Sequence, residues 1–536
     1  MRFNFILPIF FFLHFSNAIV FSNTIEIKFQ ESLNNNKLPI IEKSFYGSHF
    51  DSYTEMPSIE LMKELNLGKI RIGGNEFDVY NWKLHKAVNS TGEIKDLLSF
   101  EEYAKILKKY QVEGIFQINL FGYQPELIDN EFKVKKTFNE FSAFELIKYL
   151  NGKMQLGIKD FALGNEFPIW HETHPKVWNS EDGISADDFI ERYIKFVVQI
   201  RKAQEENSGN PNDIKIWGPE ISTSWYDWNT ANFKTDCEWT DVRGQIICKY
   251  GNNNFTNKKF SDFIPYFLYR ISLAEKNSPL NPKKYKLLDY FSIHYYPSFR
   301  AKNSDPETVF KDEQGLQRVA DILEATRNLN DPEYINTIEK SSYRKKNLNI
   351  LNRMNQWLSE FYPDAKLAIN EYAIDANYRS NFYHPIIRPL FLADSLGIFA
   401  NENVKFVNNF LLSTAKGVHL PWNMIEGGER LPNFYTYQLF TNHFLGKVIT
   451  VTDDFGDIVN SYATFDGNFI NLAIINKEPI AFKVNIKIEK KMIAFEIPAW
   501  STSMLKIDKK QFKISKQFSY GAKEMNVPIE IEYKKK

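Results

Sequence analysis

One pattern restricts the fold of this 536-residue chain more than any other: a short apolar, β-rich run followed by a longer helical stretch, over and over. The runs are Ser44–Phe50, Lys69–Gly74, Gly114–Leu120, Asp160–Glu166, Lys215–Glu220, Leu288–Tyr296, Lys366–Tyr372 and Val404–Leu412. Helical periodicity falls between them, as in Ser99–Lys109, Ala186–Ala203, Ser261–Ala274, Leu348–Phe361 and Pro385–Phe399. Strands separated by helices must run parallel, because a parallel pair needs a long crossover. Eight units over about 370 residues predict an α/β fold, a (β/α)8 barrel with insertions. A doubly wound open sheet would want a Gly-rich phosphate turn after its first strand, and Tyr46-Gly47-Ser48-His49 is not one.

The pattern changes near Leu445. Short alternating runs follow at Val448–Thr452, Ser461–Phe465, Phe469–Ile475, Ala481–Ile488, Ile493–Ile497 and Ser503–Ile507, with Asp466-Gly467-Asn468 as a hairpin turn. They predict an all-β sandwich of about 90 residues over 445–536. The alternating segment Ile25–Phe29, within 19–38, is expected to add a strand to it, leaving 39–444 for the barrel. The Lys-rich stretch beyond Lys509 reads as a solvated sheet edge.

Lys and Arg number 66, as do Asp and Glu, so the formal charge is zero, which argues against a phosphate-neutralising nucleic-acid binder or a polybasic membrane-surface protein. Met1-Arg2, the apolar run Phe3–Phe15 and the small-x-small Ser16-Asn17-Ala18 have the form of a secretory signal peptide over 1–18, too short and Pro-broken for a membrane span. In an exported protein Cys237 and Cys248, both in one polar stretch, are expected to form a disulfide. Asn89-Ser90-Thr91 and Asn254-Phe255-Thr256 are glycosylation sequons.

Barrel enzymes work at the C-terminal ends of their strands. The fourth strand ends Leu163-Gly164-Asn165-Glu166 and the seventh Ile369-Asn370-Glu371-Tyr372. A lone strand-end Glu is ordinarily a surface or ion-pair residue; two Asn-Glu dipeptides on opposite strands are what glycoside hydrolysis requires, one carboxyl protonated for the leaving oxygen and one ionised against the anomeric carbon. Arg71, Gly73 and Asn75 alternate on the second strand, so a cation reaches inward toward a carboxylate. His294 and Tyr296 share a face of the sixth; for His294 a satisfied core histidine is an equal reading. Trp170, Trp225, Trp228 and Trp422 follow strand ends, where rings stack on sugars. His171-Glu172-Thr173-His174 lacks the HExxH spacing of a zinc site, no metal site is expected, and neither a nucleophile elbow nor a Walker loop is present.

With these residues in place, the chain resembles the retaining clan of (β/α)8 glycoside hydrolases, and within it family 44, the endo-β-1,4-glucanases and xyloglucanases. The motifs are Arg71-Ile72-Gly73-Gly74-Asn75 with Tyr80-Asn81-Trp82, Gly164-Asn165-Glu166 with Trp170, Gly218-Pro219, and Ile293-His294-Tyr295-Tyr296-Pro297. Thr326-Arg327-Asn328-Leu329, Leu367–Tyr372, Ala393-Asp394 and Ile474–Lys477 continue the series in order. The resemblance implies Glu166 as acid/base, Glu371 as nucleophile, Asn165 on the sugar 2-hydroxyl, and Arg71 and Tyr296 orienting Glu371. It implies a secreted, monomeric retaining enzyme on a plant-type β-glucan, needing no cofactor, though a structural calcium ion is common in such enzymes. The alternatives are another activity of the clan (xylanase, mannanase, glucuronidase) or a non-catalytic carbohydrate-binding protein. Phe167 stands where the family usually has Pro, and Phe410 where it usually has a platform Trp.

Overall fold

A computed structural model describes residues 23–178, 186–221, 263–297, 323–335, 348–374, 385–418 and 422–526, with 239–240, 246–247, 260 and 420. Eight parallel strands close into a barrel: β1 Tyr46–Phe50, β2 Lys69–Ile72, β3 Glu113–Ile118, β4 Asp160–Leu163, β5 Lys215–Ile221, β6 Tyr290–Tyr295, β7 Lys366–Tyr372 and β8 Phe406–Asn409. Each predicted run overlaps one of these strands, and chain order is barrel order, β8 pairing with β1.

The helices follow from local signals. Ser99 caps the helix Phe100–Tyr110 in a capping box with Glu102, and Phe100, Tyr103, Leu107 and Tyr110 bury one face. Helices Ala186–Ser208, Phe263–Asn277, Ile350–Phe361 and Ile387–Asn401 occupy the other predicted stretches. The lower barrel is filled by Ile115, Ala162, Trp217, Ala368 and Phe406, with Tyr290 stacked 3.9 Å from Trp217. Gly47 is obligatory on β1, since a Cβ there would lie 2.4 Å from the Phe406 ring.

Among the predicted strands that stop early, two bear on the site. β4 ends at Leu163 rather than Glu166, because Gly164 (φ +71°) takes the backbone out of the strand. β2 ends at Ile72, and Gly74 (φ +104°) opens a 3₁₀ turn, Asn75–Val79, so Asn75 does not continue the pleat of Arg71.

Beyond the barrel, a six-stranded sheet runs Ile40–Ile41, Gly446–Ile449, Val459–Phe465, Phe469–Asn476, Ser501–Asp508 and Ile514–Gly521. A four-stranded sheet runs Val451–Asp453, Asn23–Ile27, Phe482–Ile488 and Lys491–Ile497. The N-terminal strand thus enters this region, parallel to Phe482–Ile488. Ile40–Ile41, expected with the barrel, pairs instead with Gly446 and Lys447. A core including Ile25, Ile27, Ile449, Ile470, Leu472, Val484, Ile486 and Leu505 lies between the sheets, making a sandwich.

The helix Ile387–Asn401 joins the two bodies. A Cβ on Gly397 would fall 2.1 Å from the Tyr462 ring, so only glycine allows that approach. One turn earlier, buried Asp394 accepts from Tyr462 Oη (2.6 Å) and Asn460 Nδ2 (2.7 Å) and pairs with Lys477 Nζ at 2.7 Å. Burial works against the charge of Asp394, but Lys477 and these donors hold its carboxyl below the ordinary range.

Candidate active site

Arg71 stands at the centre of the upper barrel, fully buried on β2. Its Nη1 donates to Glu371 Oε1; its Nη2 donates to Asn165 Oδ1 (2.7 Å) and Gln117 Oε1 (3.1 Å). Gln117 is held from the other side by Gly74 N (2.8 Å) and donates to Asp78 Oδ1 (3.1 Å). Asn165 is pinned at both ends of its amide, since its Nδ2 donates to Asn75 Oδ1 at 2.9 Å.

The carboxylates are aimed by irregularities in the strands. Between β5 and β6 the register skips Glu220, and between β6 and β7 it skips Asn370, bringing His294 opposite Glu371. Such bulges re-aim side chains beside active sites. Glu220 and Glu166 both adopt left-handed backbone, φ +53° and φ +41°, and the Glu166 N–H is secured on Glu220 O at 2.8 Å. Non-glycine residues hold that conformation, at a cost of about 1–3 kcal/mol, where their surroundings over-determine it.

Glu371 is 5% exposed and takes a second hydrogen bond, from Tyr296 Oη at 2.6 Å. Burial and the neighbouring Glu371 charge push the Tyr296 phenol well up, so it remains the donor. Glu166 is half-buried, its Oε1 2.9 Å from His294 Nδ1, while Nδ1 is 3.4 Å from Glu371 Oε2. One carboxylate oxygen of Glu166, one of Glu371 and a ring nitrogen of His294 lie within 4.8 Å of one another.

Two buried histidines have opposite fates. Burial and Arg71 push His49, on β1, well below its ordinary value, so it is neutral. Burial would discharge His294 as well, but the Glu371 charge and hydrogen bonds with Glu166 and Glu220 outweigh it and raise it to about 9. Arg71 and His294 therefore supply two fixed positive charges among three carboxylates, an arrangement suited to keeping one carboxylate ionised while a second handles a proton.

Of the residues singled out from sequence, Arg71, Asn75, Asn165, Glu166, His294, Tyr296 and Glu371 converge here. Trp170 does not offer a ring to the cleft: it is 4% exposed, packs on Phe121, and its Nε1 donates to Asn165 O (2.7 Å) and Asp78 Oδ2 (3.0 Å). Trp422 is 3% exposed under Tyr296 and Phe410, and Phe410 is the half-exposed ring of that group. Trp225, Trp228, Cys237 and Cys248 lie outside the described residues. Gln117, His49 and Glu220 were not anticipated. Gln117 interrupts an apolar strand, and Glu220 ends a buried strand as Glu371 does, so both carried a readable signal; Glu220 lacks the Asn that drew attention to the other two.

Residues 117–299, from the buried end of β3 through β6, match the model of glycoside hydrolase family 44. Over that span the chain is similar to that family. Endoglucanase A of Paenibacillus lautus is 24% identical over 289 residues, 54% of this chain; the chain spans 35% of the length of that relative. Among solved structures, CelM2, a bifunctional glucanase-xylanase from a metagenome library, superposes with a TM-score of 0.67 at 18% identity, covering 91% of this chain and 99% of that one. A Paenibacillus polymyxa xyloglucanase of family 44 gives 0.62 at 16% identity, covering 89% and 98%. The likeness in fold thus takes in barrel and sandwich together.

Proposed function

We propose that this protein is an endo-acting β-1,4-glycosidase of family 44 that cuts a cellulose-like glucan or xyloglucan with retention of configuration. The observation that carries the reading is the approach of Glu166 and Glu371 to within 4.8 Å, one on His294 and the other on Arg71 and Tyr296. Carboxyl groups about 5–5.5 Å apart go with retention, whereas inversion needs ~6.5–9.5 Å to admit a water.

Glu371, gripped by Arg71 and the Tyr296 hydroxyl, attacks the anomeric carbon. Glu166 gives its proton to the glycosidic oxygen as the C–O bond breaks. Glu166 then takes a proton from water, whose oxygen attacks the anomeric carbon and breaks the ester to Glu371. Asn165, held by Arg71 and Asn75, is placed to hydrogen-bond the sugar 2-hydroxyl as charge develops. The leader at 1–18 supports action outside the cell, and no described helix is long and apolar enough to cross a membrane.

The test is hydrolysis of xyloglucan, carboxymethylcellulose, xylan and mannan, with the anomer of the first-formed product read by NMR. Cleavage of the first two to β-configured ends is expected. Binding without hydrolysis of any of the four, or an α-configured product, would overturn the reading.

A further inference from the structure

Glu220 lies in the middle of the site yet is completely buried. Ser292 Oγ and Asn370 Nδ2 (2.8 Å) donate to its carboxylate, His294 Nε2 lies 3.2 Å away and Arg71 Nη2 3.6 Å. Burying a carboxylate costs several kcal/mol, and an amide would serve Ser292 and Asn370 equally well. What an amide cannot supply is negative charge against the imidazole.

His294 has a carboxylate at each ring nitrogen: Glu166 and Glu371 at Nδ1, Glu220 at Nε2. A neutral imidazole carries one N–H and one lone pair, so one nitrogen would turn its lone pair on a carboxylate. Among the described residues, Arg71 on β2, neutral His49 on β1 and the Tyr296 hydroxyl also belong to this cluster, and the carboxylate at Nε2 is that of Glu220. We propose that Glu220 is a positioning residue that keeps His294 a fixed imidazolium, its Nδ1–H shared between the acid/base and the nucleophile. The proposal rests on the glycosidase reading and deepens it. With His294 charged, Glu220 and Glu371 balance His294 and Arg71, and the cluster is neutral when Glu166 carries its proton, the form that starts the reaction.

The experiment follows the His294 ring by NMR in ¹⁵N-histidine-labelled full-length protein, its signal assigned by loss in His294→Gln, alongside pH profiles of kcat and KM. Glu220→Gln is expected to lower the His294 pKa by ~1 unit or more, move the alkaline limb of kcat to lower pH and leave KM nearly unchanged. Glu220→Asp, which keeps the charge on a shorter stem, should fall between that variant and the wild type. If Glu220→Gln fails to fold, Glu220→Asp alone must still show the lowered pKa. A His294 titration unchanged in a folded variant overturns the proposal. Because the titration needs no substrate, it reads Glu220 even if the wild type hydrolyses none of the four polysaccharides, the outcome that would sink the glycosidase reading instead.

Discussion

The two ends of the barrel both bury charge, and they do so differently. At the lower end Lys69, the first residue of β2, pairs with Asp160 at 2.6 Å and Glu113 at 2.7 Å, and Trp217 Nε1 donates to the second Asp160 oxygen at 2.9 Å. Every strong group there is matched inside regular parallel register. At the upper end Glu166, Glu220 and Glu371 face Arg71 and His294 across two bulges and two left-handed glutamates. The lower cluster is built of direct ion pairs within regular strands and serves stability. The upper one leaves Glu166 half-buried at its rim, where a carboxyl group can exchange a proton with a substrate.

The sharpest way to break this contrast is Glu371→Ala, which should reduce turnover by roughly four orders of magnitude or more while the protein stays folded, with azide or formate restoring part of it; full activity would remove Glu371 from the reaction. Next is Lys69→Met, which strands buried Asp160. Urea unfolding should show a loss of about 3–5 kcal/mol, with kcat unchanged; a comparable loss of kcat would mean that the lower end also serves catalysis. Tyr296→Phe removes one hydrogen bond to the charged Glu371. It should lower kcat by about tenfold to a hundredfold with little change in KM, checked by steady-state kinetics.

The smallest effect per step is that of pH on stability. His294 is raised from an ordinary 6.5 to about 9 on folding, so its contribution is fully present below pH ~6.5 and disappears as pH climbs through ~9. The slope should not exceed about 1.4 kcal/mol per pH unit. His294→Gln should flatten it, measured by denaturation at pH 6, 7.5 and 9.

The regular parts of the molecule were legible in the sequence because regularity leaves a period. Each barrel strand shows as an apolar run, and Asp466-Gly467-Asn468 marks its hairpin, Asp466 Oδ1 accepting from the N–H groups of Asn468 and Phe469. The proposed catalytic pair was legible because a carboxylate closing an apolar strand contradicts its surroundings. What escaped was local departure from regularity. Gly164 and Gly74 end strands sooner than hydrophobicity does, and a bulge that turns Glu220 inward has no period of its own. Nor does a tryptophan after a strand reveal which way its ring faces: Trp170 braces Asn165 from inside the protein, although its place in the chain is equally that of a sugar platform.

The strand Asn23–Ile27 carries a last consequence. It pairs with Val451–Asp453 and Phe482–Ile488, so the entire barrel is inserted between the strands Asn23–Ile27 and Ile40–Ile41 of the sandwich and the rest of it. During synthesis Ile25 and Ile27 leave the ribosome long before any partner exists, and the closure that joins them spans the barrel domain. The four-stranded sheet cannot be completed until the residues of the barrel have been synthesised. Completion of the second domain therefore waits on synthesis of the first.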